Sequence, residues 1–412
     1  MNMTVRVQLS IMMFLQFFVW GAYYVTMGNY LGAIGFEGAD IGAAYGCMAI
    51  AAILAPLSVG IIADRFLPAQ IVLGVLHLLG AGLMYYLSMV TDPKTFWWVL
   101  LAYALTYTPT LGLVNAISFN KMDDPGKEFP AIRVLGTLGW IVAGLAITYI
   151  LAKMYGENVE ATSIPMKMAA ACSFVLGVYS FTLPNTPPQS KGKKVTIGDI
   201  LGLEAISLLK DRSFLIFTIG SILVCIPLAF YYSFANLFFN ESGMTGVAGK
   251  MSMGQMSEVV FMVLMPFFFK RLGVKKMLLI GMLAWVARYV LFAYGTGDGI
   301  APMLIGGILL HGICYDFFFV TGQIYVDNEA PKAIQASAQG FVALITYGVG
   351  MFIGTYIAGQ VVGAYTTTTT IEGVEAAVHN WQTIWIIPAA MAFVVVVLFA
   401  LLFKDKPVEQ DA

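Results

Sequence analysis

The chain has 412 residues, of which 59% are hydrophobic and 11% charged, with a formal net charge of −1. A soluble domain carries about 25% charged residues, so this composition excludes an ordinary soluble protein, and the balanced charge argues against a nucleic-acid partner. Mean hydropathy is +0.82, apolar runs of about 20 residues recur from end to end, and nothing shows the alternating pattern of an outer-membrane barrel; the class is an all-α polytopic membrane protein.

Hydropathy predicts twelve spans, at about 8–30, 41–62, 69–90, 95–119, 130–152, 164–183, 213–239, 251–270, 275–295, 301–325, 333–362 and 380–403. The first contains "IMMFLQFFVWGAYYV". It is too long for a signal-peptide core and lacks a small-x-small cleavage site, so it reads as a retained span. The second ends in "GIIADRFLPAQ", which places Asp64 and Arg65 in a tight turn. The fourth carries "YTPTLGLVN", a proline surrounded by hydroxyls.

The fifth opens "FPAIRVLGTLGW". Arg133 and Thr137 are four residues apart and share a helix face. Gly136 and Gly139 leave room for a neighbouring backbone or a ligand. Arg133 can serve a ligand or snorkel to the cytoplasmic interface.

Between the sixth and seventh spans lies the longest polar interruption, with prolines and lysines. Within it, "IGDILGLEAISLLK" suits a short helix along the membrane surface. It divides the chain into an N-terminal bundle (1–184), a cytoplasmic linker (185–212) and a C-terminal bundle (213–412). The seventh span, "CIPLAFYYSFANLFF", is expected to break at Pro227. Tyr231 and Tyr232 follow. Aromatics with hydroxyls suit stacking on a planar ring, and equally an interfacial belt.

The eighth span, "MSMGQMSEVVFMVLMPFFF", puts Gln255 and Glu258 on one face. Together they could grip a polyhydroxylated ligand, or act as glue between helices. The tenth, "LLHGICYDFFFVTGQIYVD", embeds His311, Tyr315 and Asp316 in apolar surroundings. Asp316 is about 15 residues from the outer end, roughly 22 Å deep. A charge at the centre of a lone helix costs about 2.5–3.5 kcal/mol on insertion scales. Such a group is either a substrate or proton site, or half of a structural hydrogen-bonded pair. His311 alone could be a satisfied interior residue.

Basic residues set the orientation. With a cytoplasmic N-terminus, Arg65, Lys121, Lys127, Lys191, Lys193, Lys194, Lys210, Arg212, Lys270, Arg271, Lys275 and Lys276 all fall inside. The loop "TTTTTIEGVEAAVHN" has neither Lys nor Arg and falls outside. Both termini are therefore expected in the cytoplasm. The turn after the eighth span, "FFFKRLGVKK", echoes the turn after the second. Two such six-helix halves resemble the major facilitator superfamily. Gly60, Asp64 and Arg65 resemble its gating signature, with Leu67 and Pro68 where a glycine and a basic residue are usual.

More specifically, the chain resembles the bacterial nucleoside:proton symporters of that superfamily. The resemblance rests on "LQFFVWGAYY", "GIIADR", "YTPTLGLVNAISF", "FPAIRVLGTLGW", "GQMSEVVFMVLMPFF", "HGICYDFFFVTG" and "ASAQG". It implies a central cavity in which Arg133, Thr137, Trp140, Gln255, Glu258, His311, Tyr315 and Asp316 bind substrate; Tyr232 joins them as a candidate through its aromatic hydroxyl, not through the resemblance. Asp316 and Glu258 would also handle the coupled proton. His311 stands where the family has a tyrosine. Ala229 to Tyr232 stand where well-known members place side-chain amides.

The expected activity is proton-coupled nucleoside uptake across a bacterial inner membrane by alternating access. No ATP-binding loop, nucleophile–base pair or metal cluster is present in the sequence, so neither an enzyme nor a cofactor is expected. The expected partners are substrate, protons and lipid, and the expected working unit is a monomer. Alternatives are a sugar, nucleobase or other nucleoside-like cargo on the same fold, or a non-transporting ligand sensor.

Overall fold

The computed structural model describes residues 1–55, 67–188, 203–295, 301–371 and 374–404. Among these, ten helices are long and apolar enough to cross a membrane. Ile164–Ser180 is a shorter apolar helix. One of the ten, Val247–Tyr294, has 48 residues, about 72 Å if straight. That is more than twice a hydrocarbon core of about 30 Å. It breaks at Gly273, whose φ of 67° lies in the left-handed region that only glycine enters without strain.

Local sequence sets several helix starts. Asn2 accepts from the Thr4 N–H at 3.1 Å ahead of Met3–Tyr24. Asp92 accepts from the Thr95 N–H at 2.8 Å, with Pro93 at the first helical position. Asn380 accepts from the Thr383 N–H at 3.2 Å ahead of Trp381–Leu402. Each cap satisfies an N–H that the helix itself cannot.

Packing divides the described residues into two units, one drawn from 1–196, 230–253 and 355–364, the other from 197–229, 254–354 and 365–412. In the first unit, Met3–Tyr24 packs along Pro125–Leu145, and Ala69–Leu87 along Ile164–Ser180. A buried polar chain ties these helices together. Gln16 donates to Thr110 Oγ1 at 2.7 Å, and His77 meets Gln16 Oε1 at 2.8 Å and Ser173 Oγ at 3.0 Å. Polar side chains bonded across helices do in a membrane what apolar burial cannot, because lipid is as apolar as a core.

The unit has two distinct ends. At one, the Met1 amino group bonds Asp123 and Glu128, and Lys121 Nζ donates to the Asn185 carbonyl at 2.7 Å. At the other, Tyr45 OH donates to the Tyr24 carbonyl at 2.7 Å and accepts from the Gly28 N–H at 3.0 Å. The short helix Glu157–Ala161 also lies at this second end. There the Glu160 carboxylate is buried and accepts from Asn236 Nδ2 at 2.9 Å and from the Ala248 N–H at 3.0 Å. It therefore clasps the helix Arg212–Glu241 to the start of Val247–Tyr294. Thr148 Oγ1 adds a bond from the Gly249 N–H at 2.8 Å.

The helix Arg212–Glu241 does not break at Pro227 as expected; it stays one helix. The Tyr289 hydroxyl donates to the Pro227 carbonyl at 2.6 Å. The tenth predicted span is segmented into Ala301–Leu309, His311–Tyr315, a wide π turn at Asp316–Val320, and Thr321–Glu329. A second π turn spans Leu344–Gly350.

The all-α architecture carries one short hairpin. Thr366–Ile371 and Val374–His379 pair antiparallel, with Thr366 opposite His379 and Thr370 opposite Glu375. The threonine run is β-branched, and such residues favour strands. Of the linker, Leu203–Lys210 forms a 3₁₀ helix. The rest of the predicted surface helix lies outside the described residues. So do Gly60, Asp64 and Arg65.

Candidate functional site

The candidate residues fall into two clusters, one in each unit. In the first unit the helix Pro125–Leu145 carries Arg133, Thr137 and Trp140, all partly exposed. The Arg133 guanidinium sits 4.3 Å from the centre of the Phe17 ring, a cation–π contact. Gly136 and Gly139 serve the neighbouring helix: Gly136 faces the Phe17 ring, and Gly139 faces the backbone of Phe14.

Trp140 meets Trp20 edge-on at 5.4 Å and Tyr24 at 6.4 Å. Tyr24 in turn meets Tyr232 at 6.0 Å and Tyr45 at 5.0 Å. Tyr232 is thus part of an aromatic wall and is only half-buried. The indole N–H of Trp20 is buried, with no hydrogen-bond partner among the described residues. Phe17, Trp20 and Tyr24 were not singled out in the sequence. Their spacing of three and four residues puts them on one helix face, and that stripe was the available signal.

In the second unit, Gln255 and Glu258 lie on Val247–Tyr294, facing the segment His311–Tyr315. The two segments approach closely at Gly312, whose N–H donates to Ser257 Oγ at 2.9 Å. A Cβ on Gly312 would come within 2.6 Å of the Ser257 backbone, so only glycine allows this crossing. It brings His311 Nε2 to 3.5 Å from Gln255 Nε2 and 3.9 Å from Glu258 Oε2. Tyr315 stacks obliquely on His311 at 5.9 Å, and its hydroxyl bonds that of Tyr347 at 2.8 Å. Beside Tyr347, a small groove is lined by Phe319, Gln323, Gln339 and Thr346.

Asp316 begins the π turn and is fully buried. Neither carboxyl oxygen has a hydrogen-bond partner among the described residues. The structural pairing with His311 is therefore not what holds it. His311 instead receives a bond from Arg288 Nη1 at 3.1 Å on Nδ1. Buried polar atoms are bonded in more than about nine cases in ten, so an unbonded buried carboxyl is a marker for a site completed by water, a proton or a ligand. π turns recur at such sites.

Arg288, fully buried in "LAWVARYVLF", is the second miss. A lone arginine in an apolar run is itself a functional signal in a membrane chain. Among the described residues, no three His, Cys, Asp or Glu side chains converge to hold a metal ion.

Residues 3–407 match the family described as Nucleoside H+ symporter. The chain is 43% identical to the putative nucleoside transporter YegT of Escherichia coli over 412 residues, covering 100% of this chain and 96% of that protein. It is 34% identical to the xanthosine permease of the same organism, covering 98% and 96%. The crystal structure of nucleoside transporter NupG superposes with a TM-score of 0.85 at 34% identity, over 98% of this chain and 100% of that one. Helical architecture, multiple membrane-crossing helices and a family match over almost the full length agree: this multi-pass transporter, not an enzyme, belongs to the nucleoside H+ symporter family.

Proposed function

We propose that the protein imports a nucleoside together with protons across a bacterial inner membrane. The working unit is a monomer of twelve spans with both termini cytoplasmic. Its halves, residues 1–184 and 213–412, are joined by the linker 185–212 and alternate access. Gly60, Asp64 and Arg65 carry the motif that gates the movement. The relatives named above are nucleoside transporters and permeases by name, and that supports the cargo class.

The observation that carries the reading is Asp316, a buried carboxyl with both oxygens unbonded at a π turn. Such a group demands a partner, and a proton or a ribose hydroxyl supplies one. Glu258, partly exposed on the facing helix, is the second proton carrier. Gln255, His311 and Tyr315 supply polar contacts to substrate. Arg133, Thr137, Trp140 and Tyr232 supply the cationic and aromatic surface that suits a planar base.

The test is uptake of labelled uridine and adenosine into proteoliposomes, with and without an acid-outside gradient. Accumulation above the equilibrium level only under the gradient is expected. Failure to accumulate either nucleoside under the gradient overturns the reading.

A further inference from the structure

We infer that Arg288 is a positioning residue that fixes which ring nitrogen of His311 carries hydrogen, and through it which end of the Gln255 amide is offered to substrate. This rests on the proposed reading of Gln255 and His311 as substrate-contacting residues.

A guanidinium has five N–H donors and no lone pair to accept with. Arg288 Nη1 lies 3.1 Å from His311 Nδ1. Nδ1 must therefore present its lone pair, and the ring hydrogen sits on Nε2. An imidazolium, with hydrogen on both nitrogens, is incompatible with this contact. Arg288 is itself held in place. It is fully buried, its guanidinium reaches the Cys314 thiol, and its charge lies 5.6 Å from the Phe292 ring.

The consequence appears at Nε2. The charged and polar groups facing this end of the ring are Glu258 Oε2 at 3.9 Å and the Gln255 amide at 3.5 Å. With hydrogen on Nε2, the Gln255 NH₂ cannot donate to the ring, because two donors would face each other. The amide turns so that its oxygen accepts from Nε2–H. Its NH₂ is then left to donate to substrate, selecting an acceptor such as a base carbonyl, a ring nitrogen or a hydroxyl oxygen. The opposite tautomer would reverse the polarity, leaving the Gln255 oxygen to face substrate. One buried arginine on the ninth predicted span thus sets the hydrogen-bond sense of a group on the eighth.

The chain has only three histidines, which makes the tautomer directly readable. Protein labelled with ¹⁵N-imidazole histidine is reconstituted in lipid nanodiscs, and His311→Gln assigns the His311 signals. At neutral pH the parent should show His311 with an unprotonated Nδ1 and a protonated Nε2. A protonated Nδ1, whether as the other tautomer or as imidazolium, overturns the inference.

Arg288→Met should lose the single tautomer, and Arg288→Lys, which keeps a cationic donor, should retain more of it. An unchanged signature in Arg288→Met shows that Arg288 is not its cause. Should the Met variant fail to fold, the parent spectrum and the Lys variant still decide. In transport, Arg288→Lys should raise KM by up to about tenfold with a smaller change in kcat, the scale of one misdirected hydrogen bond. The tautomer needs no nucleoside to be measured. It can fail while nucleoside uptake succeeds, or hold while uptake fails.

Discussion

Glu160 and Asp316 are both buried carboxyls, and their surroundings are opposite. Glu160 accepts bonds from Asn236 Nδ2 and from the Ala248 N–H at a helix start. Asp316 accepts none from the described residues. A buried acid whose oxygens are satisfied is a fastener: its cost of burial is offset by bonds that exist only when the segments are docked. A buried acid left unsatisfied costs stability in every molecule and is retained for something the protein binds. The comparison separates a structural carboxylate from a functional one without reference to any relative.

The sharpest way to break this comparison is to neutralise Asp316. Asp316→Asn keeps the shape but cannot exchange a proton. It should retain exchange of labelled for unlabelled nucleoside without a gradient, and lose essentially all gradient-driven accumulation. Its thermal stability should not fall below the parent's, since no bond is lost and an unsatisfied buried acid is removed. Accumulation equal to the parent's would make Asp316 structural.

Glu160→Ala should do the reverse. Two donors lose their acceptor, at about 1–3 kcal/mol each for a buried group. Melting followed by tryptophan fluorescence should show clear destabilisation, about 2–6 kcal/mol, while substrate affinity in the surviving protein is unchanged. A melting temperature equal to the parent's would remove the clasp.

Glu160 also makes a pH prediction. Burial pushes its carboxyl above the ordinary glutamate value of 4.5, and its bonds to Ala248 and Asn236 pull back only part of the way. The folded protein therefore holds this proton more tightly than the unfolded chain does. The corresponding stability is full below the ordinary value and is lost as pH rises through the folded one. Melting temperature should fall over that window in the parent, and Glu160→Gln should flatten the fall. An identical slope in both proteins would assign the dependence elsewhere.

The smallest effect concerns Gln255. Gln255→Ala removes one neutral hydrogen bond to substrate and should weaken binding by about 0.5–1.5 kcal/mol, roughly twofold to tenfold. Calorimetric titration with nucleoside reads it directly, and unchanged affinity would take Gln255 out of the site.

These contrasts also mark what the sequence could reveal. Asp316, Glu258 and Arg133 announce themselves because a charge in an apolar run is conspicuous whatever the fold. The membrane class follows from hydropathy alone. The role of Glu160 was not legible: it sits in a polar loop, and its partners are 76 and 88 positions away. The threonine run at 366–371 carried a strand signal in its β-branching, but the segment it pairs with, Val374–His379, carries a weaker one. π turns have no residue signature, so the wide turn at Asp316 could not be read. Arg288 is conspicuous in the sequence as a lone cation in an apolar run. Its contact with His311 spans 23 positions, and only the folded chain reveals which nitrogen it meets.

The central claim, that Asp316 couples nucleoside movement to proton movement, is tested most directly by proton flux itself. Proteoliposomes in weakly buffered medium are given nucleoside from outside, and the external pH is recorded. The parent should alkalinise the medium as nucleoside enters. Asp316→Asn should move nucleoside down its own gradient with no accompanying alkalinisation. Alkalinisation by Asp316→Asn at the parent's ratio of protons to nucleoside would contradict the account.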